Sequence, residues 1–166
     1  DAMIGVHGVR KATCVLLAAG LCLGGALAAA DGPAVTVKEL DGKLRVEIGG
    51  QLFTEYILKG FAKPILYPVM GPGGVPMTRN YPMSKVAGEA SDHVHQKSMW
   101  FTHGNVNGVD FWAEGKDKGT IINEKVLAVT QGGAAAAVAT ANKWVKPDGT
   151  IVCTDTTRLA FMTVPG

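Results

Sequence analysis

Between Val35 and Ile57 the chain reads VTVKELDGKLRVEIGGQLFTEYI, and the spacing of its apolar residues decides the fold class. Val35 and Val37, then Leu44, Val46 and Ile48, alternate with Lys43, Arg45 and Glu47 at a period of two. Successive side chains of an extended strand leave opposite faces, so this pattern builds one apolar and one charged face. Asp41-Gly42 separates the first two runs and predicts a hairpin with a tight primed turn. Gly49-Gly50 marks a second turn, and Leu52 to Ile57 continues with the aromatic and β-branched residues that favour strands. Three short strands in succession predict an antiparallel meander, wet on one face and buried on the other.

The same reading extends along the chain. Prolines at 64, 68, 72, 76 and 82 forbid helix and central strand, which predicts a short edge strand at Ile65 to Val69 and then a long ordered loop carrying Arg79 toward the histidines. Gly115 to Gly119 reads as a charged turn, with strands at Ile121-Ile122 and Val126 to Val129. The alanine-rich Ala134 to Val145 follows Gly132-Gly133 without a capping side chain and holds Val138, Trp144 and Val145, so a strand is expected there despite alanine's helix preference. After the turn at Lys146 to Gly149, Thr150 to Thr154 and Arg158 to Met162 read as two further strands. Many short strands between Gly and Pro turns predict an all-β, antiparallel β-sandwich.

The chain's 166 residues, 47% hydrophobic and 18% charged, fit one globular domain. Arg10 and Lys11 precede an apolar run from Ala12 to Ala30 that ends in Ala28-Ala29-Ala30, followed by Asp31-Gly32-Pro33. This is the layout of a secretory signal, and cleavage is expected after Ala30, leaving 31–166 as the sandwich domain; a retained anchor is the alternative. Removing the leader takes Cys14 and Cys22 and leaves Cys153 without an intramolecular partner, so burial is expected for it. Basic and acidic residues, 16 and 14 in the full chain, then nearly balance, and no Lys/Arg run appears. That argues against a nucleic-acid partner. A secreted or periplasmic protein without membrane attachment after cleavage is expected.

Chemistry concentrates in Asp92 to Trp112, DHVHQKSMWFTHGNVNGVDFW, which holds three of the four histidines. On an unbulged strand His93, His95 and His103 would share one face, with Asp92 opposite. Such a set suits general acid/base work near neutral pH or, alternatively, metal ligation, for which no fourth ligand is evident. Packed or hydrogen-bonded structural histidines are the third reading. Trp100 and Trp112 suit a sugar-stacking platform or a core. Arg79 offers a planar fork for oxygens, and Gln96 donates and accepts hydrogen bonds. Asn107 and Asp110 are hydroxyl binders or ordinary turn formers. The candidate catalytic residues are therefore His93, His95 and His103, and the candidate substrate contacts Arg79, Gln96, Trp100, Asn107, Asp110 and Trp112. A small molecule or glycan is the expected partner, and no cofactor is specified.

Lys63-Pro64 with Tyr67-Pro68, Gly71-Pro72, Met77-Thr78-Arg79, Tyr81-Pro82, Asp92-His93-Val94-His95-Gln96 and His103 to Trp112 together resemble the PmoA-like family of secreted bacterial proteins, often labelled "methane oxygenase PmoA". The resemblance spans nearly the whole mature chain. It implies a β-sandwich similar to sugar mutarotases and carbohydrate-processing proteins, and no established reaction. Membrane oxygenase subunits span the bilayer several times, whereas after Ala30 no apolar stretch here approaches about 18 residues. Many members of that family carry another histidine directly after the H-x-H pair, where this chain has Gln96. They also run on further, and an open sheet stopping at Pro165-Gly166 would bare an edge, so a C-terminally truncated sandwich is expected.

Overall fold

The computed structural model describes residues 32–163; the expected leader and its cleavage point lie outside them. Eight strands form two antiparallel sheets. The first runs in sequence order through β1 (Val35–Leu40), β2 (Lys43–Ile48), β3 (Gln51–Ile57), β4 (Ile65–Val69) and β5 (Met99–Trp100), and the second through β6 (Thr120–Gly132), β7 (Ala135–Val145) and β8 (Ile151–Met162). The sheets pack as a sandwich. Val35, Val37, Leu44, Val46, Tyr56 and Leu66 from the first meet Ala136, Val138 and Phe161 from the second. Each fully buried Val, Leu or Phe adds about 1.5–3 kcal/mol over leaving it in water, so this interface dominates the stability.

The two glycine turns exchange roles relative to expectation. At Asp41-Gly42 only Gly42 has positive φ, +70°, so the turn is not the primed type that requires positive φ at its first position. Gly49 and Gly50, at +58° and +78°, both satisfy that requirement. β4 is not an edge, because Ile65 and Leu66 pair with Trp100 and Met99. β6 unites two expected strands across bulges at Asn123/Lys125 and Val126/Ala128. β8 likewise runs unbroken through Asp155 to Thr157, because Asp155 is tied to β7: it accepts from Asn142 Nδ2 at 2.9 Å and Trp144 Nε1 at 2.6 Å. The alanine-rich segment is the central strand β7, where small side chains let both neighbours pair along its length. Cys153, on β8, is half-buried rather than enclosed.

The loop from Met70 to Ser98 is ordered by its own polar contacts. Glu89 accepts from the Asn80 and Tyr81 amides at 2.7 and 2.9 Å, and Tyr67 Oη donates to Asn80 Oδ1 at 3.0 Å. Thr78 and Ser98 hydroxyls meet at 2.7 Å, closing the loop's return to β5.

Candidate functional site

The segment bearing the histidines is not a strand apart from Met99–Trp100. His93 and Ser98 have φ of +47° and +55°, a left-handed conformation that extended pairing excludes. Gln96 N donates to His93 O at 2.9 Å, so His93 to Gln96 form a turn. The shared strand face predicted for the three histidines is therefore replaced by a corner that carries two. His93 and His95 rings lie 5.9 Å apart between centroids. Asp92, expected on the opposite face, instead bonds His93 Nδ1 at 2.7 Å. That bond to His93, with Arg79 nearby, holds the Asp92 carboxyl below its usual range despite partial desolvation.

His103 stands on a different turn, where its Nδ1 accepts from Asn105 N at 3.1 Å. Asn107 and Gly108 both take positive φ between the bridged Val106 and Val109. Asp110 Oδ1 accepts from the Trp112 and Ala113 amides at 2.8 and 3.2 Å. Partial burial would raise the Asp110 pKa, but these amides and the Lys118 ammonium outweigh it and lower the value. Asn107 and Asp110 thus both sit in turns, with Asp110 Oδ1 engaged by backbone amides. Among the described residues no three His, Cys, Asp or Glu side chains are grouped to hold a metal ion, so the His93/His95/His103 ligand set is not assembled.

Arg79 reaches the histidine turn as expected but does not present an open fork. Its Nη2 donates to Ala90 O at 2.9 Å and to Asp92 O and Oδ1 at 2.8 and 3.2 Å. It orders the loop and, through Asp92, the His93 ring.

Four of the predicted residues do converge. Trp100 and Trp112 meet edge to face, centroids 4.8 Å apart, and the His95 ring lies 6.4 Å from that of Trp112. Gln96, Ser98, Met99, Trp100, Phe101, Thr102 and Trp112 line an open cleft of about 390 Å³. Trp112 is 44% exposed and Phe101 71%, areas that a core would have enclosed. Trp144 is the core tryptophan: it is buried against Phe111, 4.9 Å between centroids.

Beneath this cleft lie residues that sequence reasoning passed over. Lys63 and Lys97 are buried, and Glu114 lies between them, paired with Lys97 and 3.5 Å from Lys63. Lys63 Nζ also donates to Trp112 O at 3.0 Å and sits 4.8 Å from the Trp100 ring centroid. Burial depresses the Lys63 pKa, and the attraction of Glu114 offsets this only in part. The one signal in the sequence is that Lys63 and Glu114 have apolar or aromatic neighbours, in Phe61-Ala62-Lys63-Pro64 and Trp112-Ala113-Glu114, a weak cue because such residues are normally solvated; Lys97, between Gln96 and Ser98, has none.

Residues 43–166 match a family of unknown function, DUF6807. The chain belongs to that family. No curated protein and no solved structure matches it. Membership of DUF6807 thus assigns a lineage and no reaction.

Proposed function

We propose that this DUF6807 member is a secreted or periplasmic protein that binds carbohydrate in the cleft walled by Trp100 and Trp112. The observation that carries the reading is two half-open indole rings, set edge to face, with His95, Gln96, Ser98 and Thr102 around them. Sugar rings bury their C–H faces on aromatic surfaces, while amide, imidazole and hydroxyl groups satisfy the ring hydroxyls. The resemblance to secreted PmoA-like proteins of sandwich fold supports the same substrate class. Among the described residues no helix is long and apolar enough to cross a membrane.

A catalytic extension is favoured by one geometry: Asp92 orients His93 at 2.7 Å, and His95 stands beside it. A carboxylate that fixes an imidazole is the arrangement of an oriented general base. In this reading His93 and His95 carry the proton transfers and His103 does not.

A glycan array followed by calorimetry tests binding. Wild type is expected to bind a sugar, and Trp112→Ala to weaken it by about 10- to 100-fold, the range for losing one stacking surface worth roughly 1.4–3 kcal/mol. No binding to any glycan, or equal binding by Trp112→Ala, would remove the carbohydrate reading. Turnover of bound sugars that is abolished in His93→Gln with affinity retained would establish the catalytic extension, and absence of turnover in wild type would leave a binding protein.

A further inference from the structure

Glu114 joins two parts of the cleft that are distant in sequence. On one side, Lys97 pairs with Glu114 Oε2 and donates to Val94 O at 2.7 Å; Val94 is the residue between His93 and His95. On the other, Lys63 lies 3.5 Å from Glu114 Oε1, donates to Trp112 O at 3.0 Å and stands 4.8 Å from the Trp100 ring. One carboxylate therefore connects the backbone of the histidine turn to the backbone and ring of the aromatic pair.

The cluster is a poor device for stability alone. Two ammonium groups, 1% and 8% exposed, share a single carboxylate that is 19% exposed, so desolvation is incompletely compensated. Apolar side chains of similar volume commonly hold such a position as well or better. Charged hydrogen bonds add direction, since they form only over a narrow range of distance and angle: Lys97 bonds Glu114 Oε2 and Val94 O, and Lys63 bonds Trp112 O, while Lys63 and Glu114 Oε1, which has no hydrogen-bond partner, attract as an ion pair.

We propose that Glu114, acting through Lys63 and Lys97, is the positioning residue that holds His95 at a fixed spacing from the Trp100–Trp112 pair. This rests on reading the cleft as the binding site. The residue touches no substrate and is not catalytic. Arg79 ties the turn to its own loop through Ala90 and Asp92, and the His95 ring lies 6.4 Å from that of Trp112; the ionic link is the contact that joins the backbone of the turn, at Val94, to the backbone of Trp112.

The test reads the geometry without any ligand. Trp100 and Trp112 form the only Trp–Trp ring pair found among the described residues, and such a pair gives an exciton couplet in far-ultraviolet circular dichroism, assigned by its loss in Trp100→Phe. The His95 ring proton resonance, assigned with His95→Gln, reports the other side. Glu114→Gln keeps the shape but removes the charge and one of the two acceptor oxygens, and is expected to lose more than half of the couplet and to shift the His95 resonance, with the β-sheet signal intact. Lys63→Met and Lys97→Met each leave a balanced pair, so they guard against misfolding of Glu114→Gln. The first is expected to reduce the couplet and the second to shift His95. Affinity for a sugar bound by wild type should fall about tenfold in Glu114→Gln. An unchanged couplet and an unchanged His95 resonance in the folded variants would overturn the proposal. Failure of wild type to bind any sugar would sink the carbohydrate reading alone, since the couplet is measured in its absence.

Discussion

Phe111 is fully buried against Trp144, and the space its ring occupies exists because residue 119 has no side chain. A Cβ built at Gly119 would overlap the Phe111 ring, while the backbone there is not in the left-handed region, so a substitution meets a purely steric penalty. Gly119→Ala is expected to destabilise by about 1–3 kcal/mol, the usual range for overpacking a filled core, and Phe111→Leu in the same chain should recover part of it. Chemical denaturation of the two variants measures both effects. This packing was invisible beforehand, since Gly115 to Gly119 read simply as a turn. The candidate residues show the same division. Trp100, Trp112, His95 and Gln96 come together, and their closeness in sequence made that convergence legible. Asn107, Asp110 and Arg79 have equally suitable types, yet their polar atoms or backbones are committed to turns and loop carbonyls. Residue type gives a capacity to bond, and the fold decides which partner takes it.

At the scale of the elements, alternation placed β1, β2 and β3 with nearly correct limits, because one face of each must be apolar to meet the second sheet. The alanine-rich β7 was also readable, since the glycines before it and its β-branched residues opposed a helix. Errors fell where non-local bonds override local pattern. Two bulges carry β6 through a stretch that reads as a break, and Asn142 and Trp144 hold β8 together across Asp155. The histidine segment failed for the converse reason: its alternating aromatics and histidines looked extended, but positive φ at His93 and Ser98 folds it into turns. One strand carries a defect that can be repaired. Thr54, on β3, is 1% exposed, its Oγ1 has no hydrogen-bond partner, and it borders an apolar cavity lined by Phe53, Leu66, Leu159 and Phe161. Thr54→Val has the same shape without the stranded hydroxyl, and a gain of about 1 kcal/mol is expected. A lowered denaturation midpoint would show that the hydroxyl is satisfied after all.

For the whole molecule, Lys63 couples the first sheet to the loops that carry the cleft, and this leaves a mark on the pH dependence of stability. Its folded pKa lies below the ordinary 10.5 because burial outweighs the attraction of Glu114. Between the folded and unfolded values the unfolded chain binds more protons, so this residue makes stability rise with pH until about 10.5. Lys63→Met removes the contribution. The difference in unfolding free energy, wild type minus variant, is expected to move in favour of wild type as pH rises toward the ordinary lysine value of about 10.5, followed by urea titrations. A flat difference would mean that the ammonium is solvated in the folded protein.

By itself the sequence determined that this chain folds as antiparallel β-structure in two layers, because a period of two and glycine turns are local properties that every stretch carries in its own residues. It also determined where imidazole, indole and amide side chains crowd together, in Asp92 to Trp112. Only the tertiary structure decided which of them face one another. Gln96 lines the cleft with Trp100 and Trp112, His95 stands beside Trp112, His103 goes to another turn, and Lys63, Lys97 and Glu114, from three separate segments, meet in one ionic cluster. Burial and pairing of a charge depend on what the rest of the chain brings to its side, and no window of neighbouring residues contains that information.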